Sequence, residues 1–171
     1  AELPSDYLAQ PLQRKMMQMI FDIVNLGLPL AAQKKPGEAA SLDSVQIQGD
    51  PVPGGRIMAV VKVKLDPGFH VHSHKPSQPE FIATVLTVGE AKGAKVGTIS
   101  YPEGKSEKVV GLPKPLSVYE DNVEISVPIG LSASARLPLT LPASLNYQAC
   151  QGAKCYRPFD LKFDLVIEEK K

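Results

Sequence analysis

From residue 42 onward, hydrophobic and polar residues tend to alternate along the chain. Alternation is clearest at 56–65, where one face would carry the apolar side chains Ile57, Ala59, Val61, Val63 and Leu65. Similar segments occur at 82–88, 96–101, 122–129, 136–141 and 159–167. A period of two predicts antiparallel strands with one buried face. Seven or eight short strands joined by turns predict an all-β fold, a β-sandwich. Pro138 and Pro142 indicate an edge strand.

The first part of the chain has a different pattern. Over residues 5–26, apolar residues recur at helical spacing, and Ser5 and Asp6 can cap the helix. Met16, Met17 and Met19 lie in this segment. They are interpreted as a flexible apolar docking face, with a copper-binding methionine cluster as the alternative. We therefore expect a helical arm and linker over 1–41 and the sandwich over 42–171.

Composition narrows the possible functions. The chain has 171 residues, of which 43% are hydrophobic and 22% charged, so it can bury a core without needing a disulfide. The net charge of +1 gives no electrostatic reason to expect nucleic-acid binding. The sequence contains no G-x-S-x-G, phosphate-binding glycine loop or H-E-x-x-H motif, which leaves the cysteines and histidines as candidate chemistry.

Cys150 and Cys155 are the two cysteines of the chain, in the segment Y-Q-A-C-Q-G-A-K-C-Y-R-P. A disulfide closing so short a loop removes little chain entropy, and a tight loop favours an easily reduced bond. Positive charge from Lys154 and Arg157 would stabilise a thiolate. These features favour exchange chemistry. A structural disulfide in a non-catalytic binding module and a metal site remain the alternatives.

The three histidines, His70, His72 and His74, alternate with other residues. On a strand, side chains at this spacing would project from one face. The simplest interpretation is an exposed polar face opposite Phe69 and Val71. One alternative is a copper-handling domain that binds the metal with the histidines, together with the cysteines and the methionine-rich helix. The other is a strand beside the cysteine loop whose histidine tunes a thiol.

Four segments in order resemble the N-terminal periplasmic domain of DsbD-type thiol:disulfide interchange proteins. They are P-G-F-H-V-H-S-H-K at 67–75, I-S-Y-P-E-G-K at 99–105, L-S-V-Y-E-D-N-V-E-I-S-V-P-I at 116–129 and the cysteine segment at 147–158, which begins at Tyr147. The resemblance covers roughly residues 43–168 and excludes the arm.

The resemblance implies an immunoglobulin-like antiparallel β-sandwich outside the cytoplasm, with the cysteine pair at one end. Electrons would come from a membrane reductase in the same or a partner chain and pass to thioredoxin-like domains and periplasmic oxidoreductases. Cys155 would form mixed disulfides and Cys150 would resolve them. No organic cofactor or metal is required for this exchange.

The resemblance also implies supporting residues near the pair. A cap loop that shields the cysteines maps to 109–115, with Leu112 near the position of the family's cap aromatic. His70 and His72 stand where the best-known members have tyrosines, so we expect an imidazole near the pair. Tyr147 and Lys154 complete the supporting set. The family's capping mechanism does not transfer, because Val110 and Gly111 stand near the positions of its two cap acids.

Overall fold

The computed structural model describes Lys15 and residues 34–170. Apart from Lys15, the predicted helix and its methionines lie outside the described residues. Residues 36–171 form one compact unit. Within the described part of the chain, no helix is long and apolar enough to cross a membrane.

Within residues 34–170 the regular secondary structure consists of β-strands, which confirms the all-β prediction. The strands are β1 (Ala40–Gln48), β2 (Arg56–Leu65), β3 (His70–His72), β4 (Val85–Val88), β5 (Ala94–Val96), β6 (Lys105–Glu107), β7 (Leu116–Glu120), β8 (Asn122–Leu131), β9 (Leu139–Tyr147), β10 (Ala149–Gln151), β11 (Lys154–Cys155) and β12 (Phe159–Ile167). Strand β1 includes Ala40 and Ser41, which the sequence had assigned to the linker.

The strands form three antiparallel sheets. Their orders are β1-β2-β8-β5, β12-β9-β4 and β11-β10-β3-β7-β6. The inward side chains of β2, β8, β9 and β12 belong to one hydrophobic cluster, so the first two sheets pack as a sandwich. The alternation predicted for 56–65 and 159–167 is confirmed as β2 and β12, with the bounds expected.

The five-stranded sheet carries the cysteines, and three of its strands adjoin sandwich strands in the chain. Gln148 alone separates β9 from β10, and Asp121, with φ 57°, separates β7 from β8. Strand β3 follows β2 after the Asp66–Gly68 turn. The site strands therefore continue directly from strands anchored in the core.

Two prolines limit the outer strands β4 and β5. Pro142 lies in β9, between β12 and β4, so the prediction that this strand is an edge is wrong. The carbonyl of Pro142 accepts a hydrogen bond from Gly89 N at 2.7 Å, directly after β4 ends. Pro128 in β8 accepts one from Gly97 N at 2.8 Å, directly after β5 ends. Proline is tolerated at these two positions because the N–H that it lacks would point toward the outer strand just beyond the last paired residue, where no hydrogen bond is needed.

Candidate functional site

The cysteines face each other across a tight hairpin. Strands β10 and β11 pair Cys150 with Cys155 and Gln151 with Lys154. Gly152 has a φ of 55°, and glycine is favoured at such a position in a two-residue hairpin turn. The two sulfur atoms form a disulfide of 2.04 Å, with Cα atoms 4.0 Å apart.

The two sulfurs differ in their access to solvent. Cys150 is completely buried, because β10 is an inner strand paired with β3. Cys155 is exposed, because β11 is the edge strand of its sheet. An approaching protein can therefore reach Cys155 but not Cys150.

Tyr156 holds the hairpin to the sheet. Its N–H donates to the carbonyl of Ala149 at 2.9 Å, and its hydroxyl donates to Gln151 Oε1 at 3.0 Å. Its own carbonyl accepts from Gln148 Nε2 at 3.0 Å. Its ring also contacts that of Phe69, with centroids 5.9 Å apart. These bonds fix the base and the tip of the loop that carries the disulfide.

His72 lies against the buried sulfur. Its Nε2 is 3.8 Å from Cys150 Sγ, and the side chain is 1% exposed. Its ring stacks on Phe81, with centroids 4.4 Å apart and planes 13° from parallel. Burial, and secondarily the neighbouring His70, lower the pKa of His72, so its imidazole is neutral at neutral pH. The structure thus has an imidazole next to Cys150.

His70 is also buried, so the interpretation of the histidines as an exposed face is wrong. It pairs with Cys150 across the ladder, and its Nδ1 lies 3.4 Å from Glu107 Oε2. Strand β3 lies inside its sheet and is buried at all three positions, including Val71. Period alone could not reveal this, because it does not show whether the second face of a strand is covered.

His74 lies beyond the end of β3 and makes different contacts. Its ring stacks on Tyr101 with centroids 3.7 Å apart, and its Nδ1 lies 3.1 Å from the carbonyl oxygen of Thr84. The three histidines therefore do not converge on a common point. Among the described residues, the group whose ligand atoms could hold a metal is His72 with Cys150 and Cys155.

The other predicted supporting residues are spread over the structure. The Tyr147 hydroxyl accepts hydrogen bonds from the backbone N–H groups of Ala39 and Ala40, both at 3.1 Å. Lys154 is exposed, with its Nζ 5.2 Å from the centre of the Tyr156 ring. Leu112 is half-buried in the predicted cap segment.

Phe81 and Glu107 complete the surroundings of the pair, and the sequence analysis missed both. Phe81 and Leu112 pack against one small cluster formed by Val109, Leu116 and Val118. Phe81 thus connects the cap segment to His72. The single aromatic in the loop 73–84 was the signal available for Phe81. No signal in the sequence pointed to Glu107, because a glutamate in a charged segment does not indicate that it contacts a buried residue such as His70.

A family model described as the N-terminal part of thiol:disulfide interchange protein DsbD matches residues 38–167. The chain belongs to this family. Membership confirms the recognised resemblance, participation in thiol–disulfide interchange and a periplasmic location. No curated protein sequence is significantly similar to the chain.

Solved structures of DsbD-type N-terminal domains are distantly similar. The N-terminal periplasmic domain of ScsB from Proteus mirabilis is 16% identical with a TM-score of 0.52, over 75% of this chain and 46% of that one, and shows the shared sandwich fold. The reduced DsbD N-terminal domain of Neisseria meningitidis is 19% identical, over 80% and 91% of the two chains, with a TM-score of 0.46. The same species' complex of the DsbD and PilB N-terminal domains matches at 17% identity, over 82% and 95%, with a TM-score of 0.44.

Proposed function

We propose that Cys155 is the sulfur that exchanges with partner proteins and that Cys150 resolves the intermediate. The observation that carries this assignment is the difference in access, since Cys155 is exposed and Cys150 is completely buried. An intermolecular disulfide requires in-line approach of a partner sulfur, which only an accessible sulfur permits.

The reaction moves two electrons to the partner. In the reduced chain, the Cys155 thiolate attacks one sulfur of the partner's disulfide, and the other partner sulfur leaves as a thiolate. The Cys150 thiolate then attacks Cys155 Sγ, which forms the Cys150–Cys155 disulfide and releases the second partner sulfur. The partner leaves as a dithiol, and the chain is left oxidised.

The hairpin geometry supports fast resolution. Cys150 and Cys155 are directly opposite in the ladder, and Tyr156 anchors the hairpin on both sides of the turn. The resolving sulfur is therefore held next to the mixed disulfide, and a high effective concentration follows from that position.

The electron donor and acceptors are proteins. We propose that a membrane reductase, in the same or a partner chain, reduces the pair and that thioredoxin-like domains and periplasmic oxidoreductases accept the electrons. The exposed edge position of β11 fits a small transient contact of this kind.

The test is to trap the intermediate with a pair of matched variants. Cys150→Ser should accumulate a mixed disulfide with an oxidised thioredoxin-like domain, seen by intact mass after acid quenching, because the serine cannot displace the partner and the acid stops the reverse attack by the partner's own thiolate. Cys155→Ser should form none. A Cys155→Ser variant that traps the partner equally well would reverse the assigned roles.

A redox titration of the wild-type pair tests the exchange itself. Exchange proteins have reduction potentials of roughly −270 to −120 mV, whereas structural disulfides lie below about −300 mV. A potential below about −300 mV would instead favour a binding module with a structural disulfide.

A further inference from the structure

The surroundings of the disulfide contain the elements of a second kind of site. In the described part of the chain, His72, Cys150 and Cys155 are the one group of three metal-ligating side chains whose donor atoms all lie within 4.8 Å of one another. Exchange through Cys155 and Cys150 does not by itself require a histidine in contact with the buried sulfur. We infer that the reduced pair and His72 Nε2 form a three-coordinate site for Cu⁺.

The distances suit a bound ion. With metal–sulfur and metal–nitrogen bonds of about 2.3 and 2.1 Å, ligands set about 120° apart have a sulfur–nitrogen distance of roughly 3.8 Å. Cys150 Sγ and His72 Nε2 are already 3.8 Å apart in the disulfide form. The separation of these two ligand atoms therefore already matches that around a bound ion.

Only the second sulfur has to move. Two sulfurs on such an ion are roughly 4 Å apart, for bonds of about 2.3 Å, compared with 2.04 Å in the disulfide. Cys155 lies on a two-residue edge strand and is exposed, so its side chain can turn without displacing core residues. The buried half of the site is fixed and the exposed half adapts.

The imidazole is held in place by packing. Phe81 stacks on the His72 ring, and His72 and Cys150 are almost fully buried. In the described structure His72 Nδ1 has no hydrogen-bond partner, so the stacked ring takes the orienting role that a hydrogen bond often has at metal-bound histidines.

The ligand set selects the metal. Two thiolates and one imidazole form a soft, low-coordinate set, which favours Cu⁺ over hard cations. Zn²⁺ would need a fourth ligand from solvent. A bound Cu⁺ would occupy both sulfurs and block exchange, so copper loading and electron relay exclude each other.

Loading depends on the redox state of the pair. Dithiothreitol donates two electrons to the disulfide, becomes its own cyclic disulfide and leaves two thiols on the chain. Each thiol releases its proton when its sulfur binds the ion. The oxidised chain, with both sulfurs bonded to each other, has no thiolate to offer.

The experiment is a competition for Cu⁺ under anaerobic conditions. The full chain is reduced, freed of dithiothreitol by gel filtration and titrated into Cu⁺ held by the coloured chelator bicinchoninate. The reduced wild type should remove one Cu⁺ per chain, and the oxidised wild type none. His72→Phe should weaken the affinity about tenfold or more, since even outer partners of metal ligands have effects of 10–100-fold.

His74→Phe is the matched control, because its ring lies on Tyr101 and away from the cysteines. It should bind Cu⁺ like the wild type. Equal affinity in His72→Phe, or no binding by the reduced wild type, would overturn the inference. X-ray absorption at the copper edge of the loaded wild type needs no variant. It should show two sulfur neighbours and one nitrogen, and a sulfur-only shell would also overturn the inference. Failed copper binding with intact partner trapping would leave the proposed exchange function standing.

Discussion

Tyr147→Phe separates a structural role of this tyrosine from a role in the disulfide chemistry. Tyr147 precedes Cys150 by three positions and was expected to support the pair. In the fold its hydroxyl instead accepts the N–H groups of Ala39 and Ala40, at the start of β1. The substitution keeps the buried ring and removes only this acceptor.

The expected loss of stability follows from the burial of the two donors. Ala39 is 0% exposed and Ala40 is 4% exposed, so water cannot easily replace the hydroxyl. A buried donor left without a partner costs about 1–3 kcal/mol. For the two donors together we expect a decrease in the free energy of unfolding of about 2–4 kcal/mol. The decrease should stay below the full sum because the first residues of β1 can shift partly toward water.

Chemical denaturation of the oxidised protein measures this free energy, and thermal unfolding should show a decrease in Tm of roughly 4–16 °C. Tyr156→Phe is the matched control. It removes an exposed hydrogen bond to Gln151 and should change stability by less than about 0.5 kcal/mol. The reduction potential of the Tyr147→Phe pair should equal that of the wild type. Unchanged stability together with a shifted potential would refute the reasoning.

Two further predictions concern the five-stranded sheet that carries the cysteines and the cysteines themselves. Gly104→Ala should destabilise the fold by about 1–3 kcal/mol, because a Cβ at this position would overlap Ser117 Oγ. Gly130→Ala is the control, because the nearest atom to its added Cβ would be 3.9 Å away. Urea denaturation should show no change in stability for this control. In the reduced protein, iodoacetamide should alkylate Cys155 at least about tenfold faster than Cys150, as read by peptide mass spectrometry over time; equal rates would contradict the buried position of Cys150.

The sandwich was largely predictable because its strands bury one face. Strand β2 matched its predicted bounds, since five apolar side chains alternate there with mostly polar or charged neighbours. The segment 82–88 was predicted too long, and only Val85–Val88 pairs. Phe81, which directly precedes this segment, packs against a small apolar cluster outside any ladder, and periodicity cannot distinguish such packing from pairing.

The candidate site was predictable in its reactive atoms and less so in its surroundings. The sequence placed both cysteines in one short glycine-containing loop, and the structure shows this loop as a hairpin closed by their disulfide. The burial of His70 and His72 depends on strands far away in sequence, since β7 and β10 flank β3. The stacking of Phe81 on His72 joins a loop to a strand, and no local pattern encodes such a contact.

The direct passage from β9 to β10 has a consequence for how activity is lost. Leu141, Leu145 and Tyr147 fasten β9 in the core with at most 2% exposure, and one residue later the strand that holds Cys150 begins. The reactive pair has no hinge of its own on that side. On heating or addition of denaturant, exchange activity should therefore be lost in the same transition in which the core unfolds. No inactive state with a folded core should come before it. Mutations far from the sulfurs would then change exchange by altering the folded fraction.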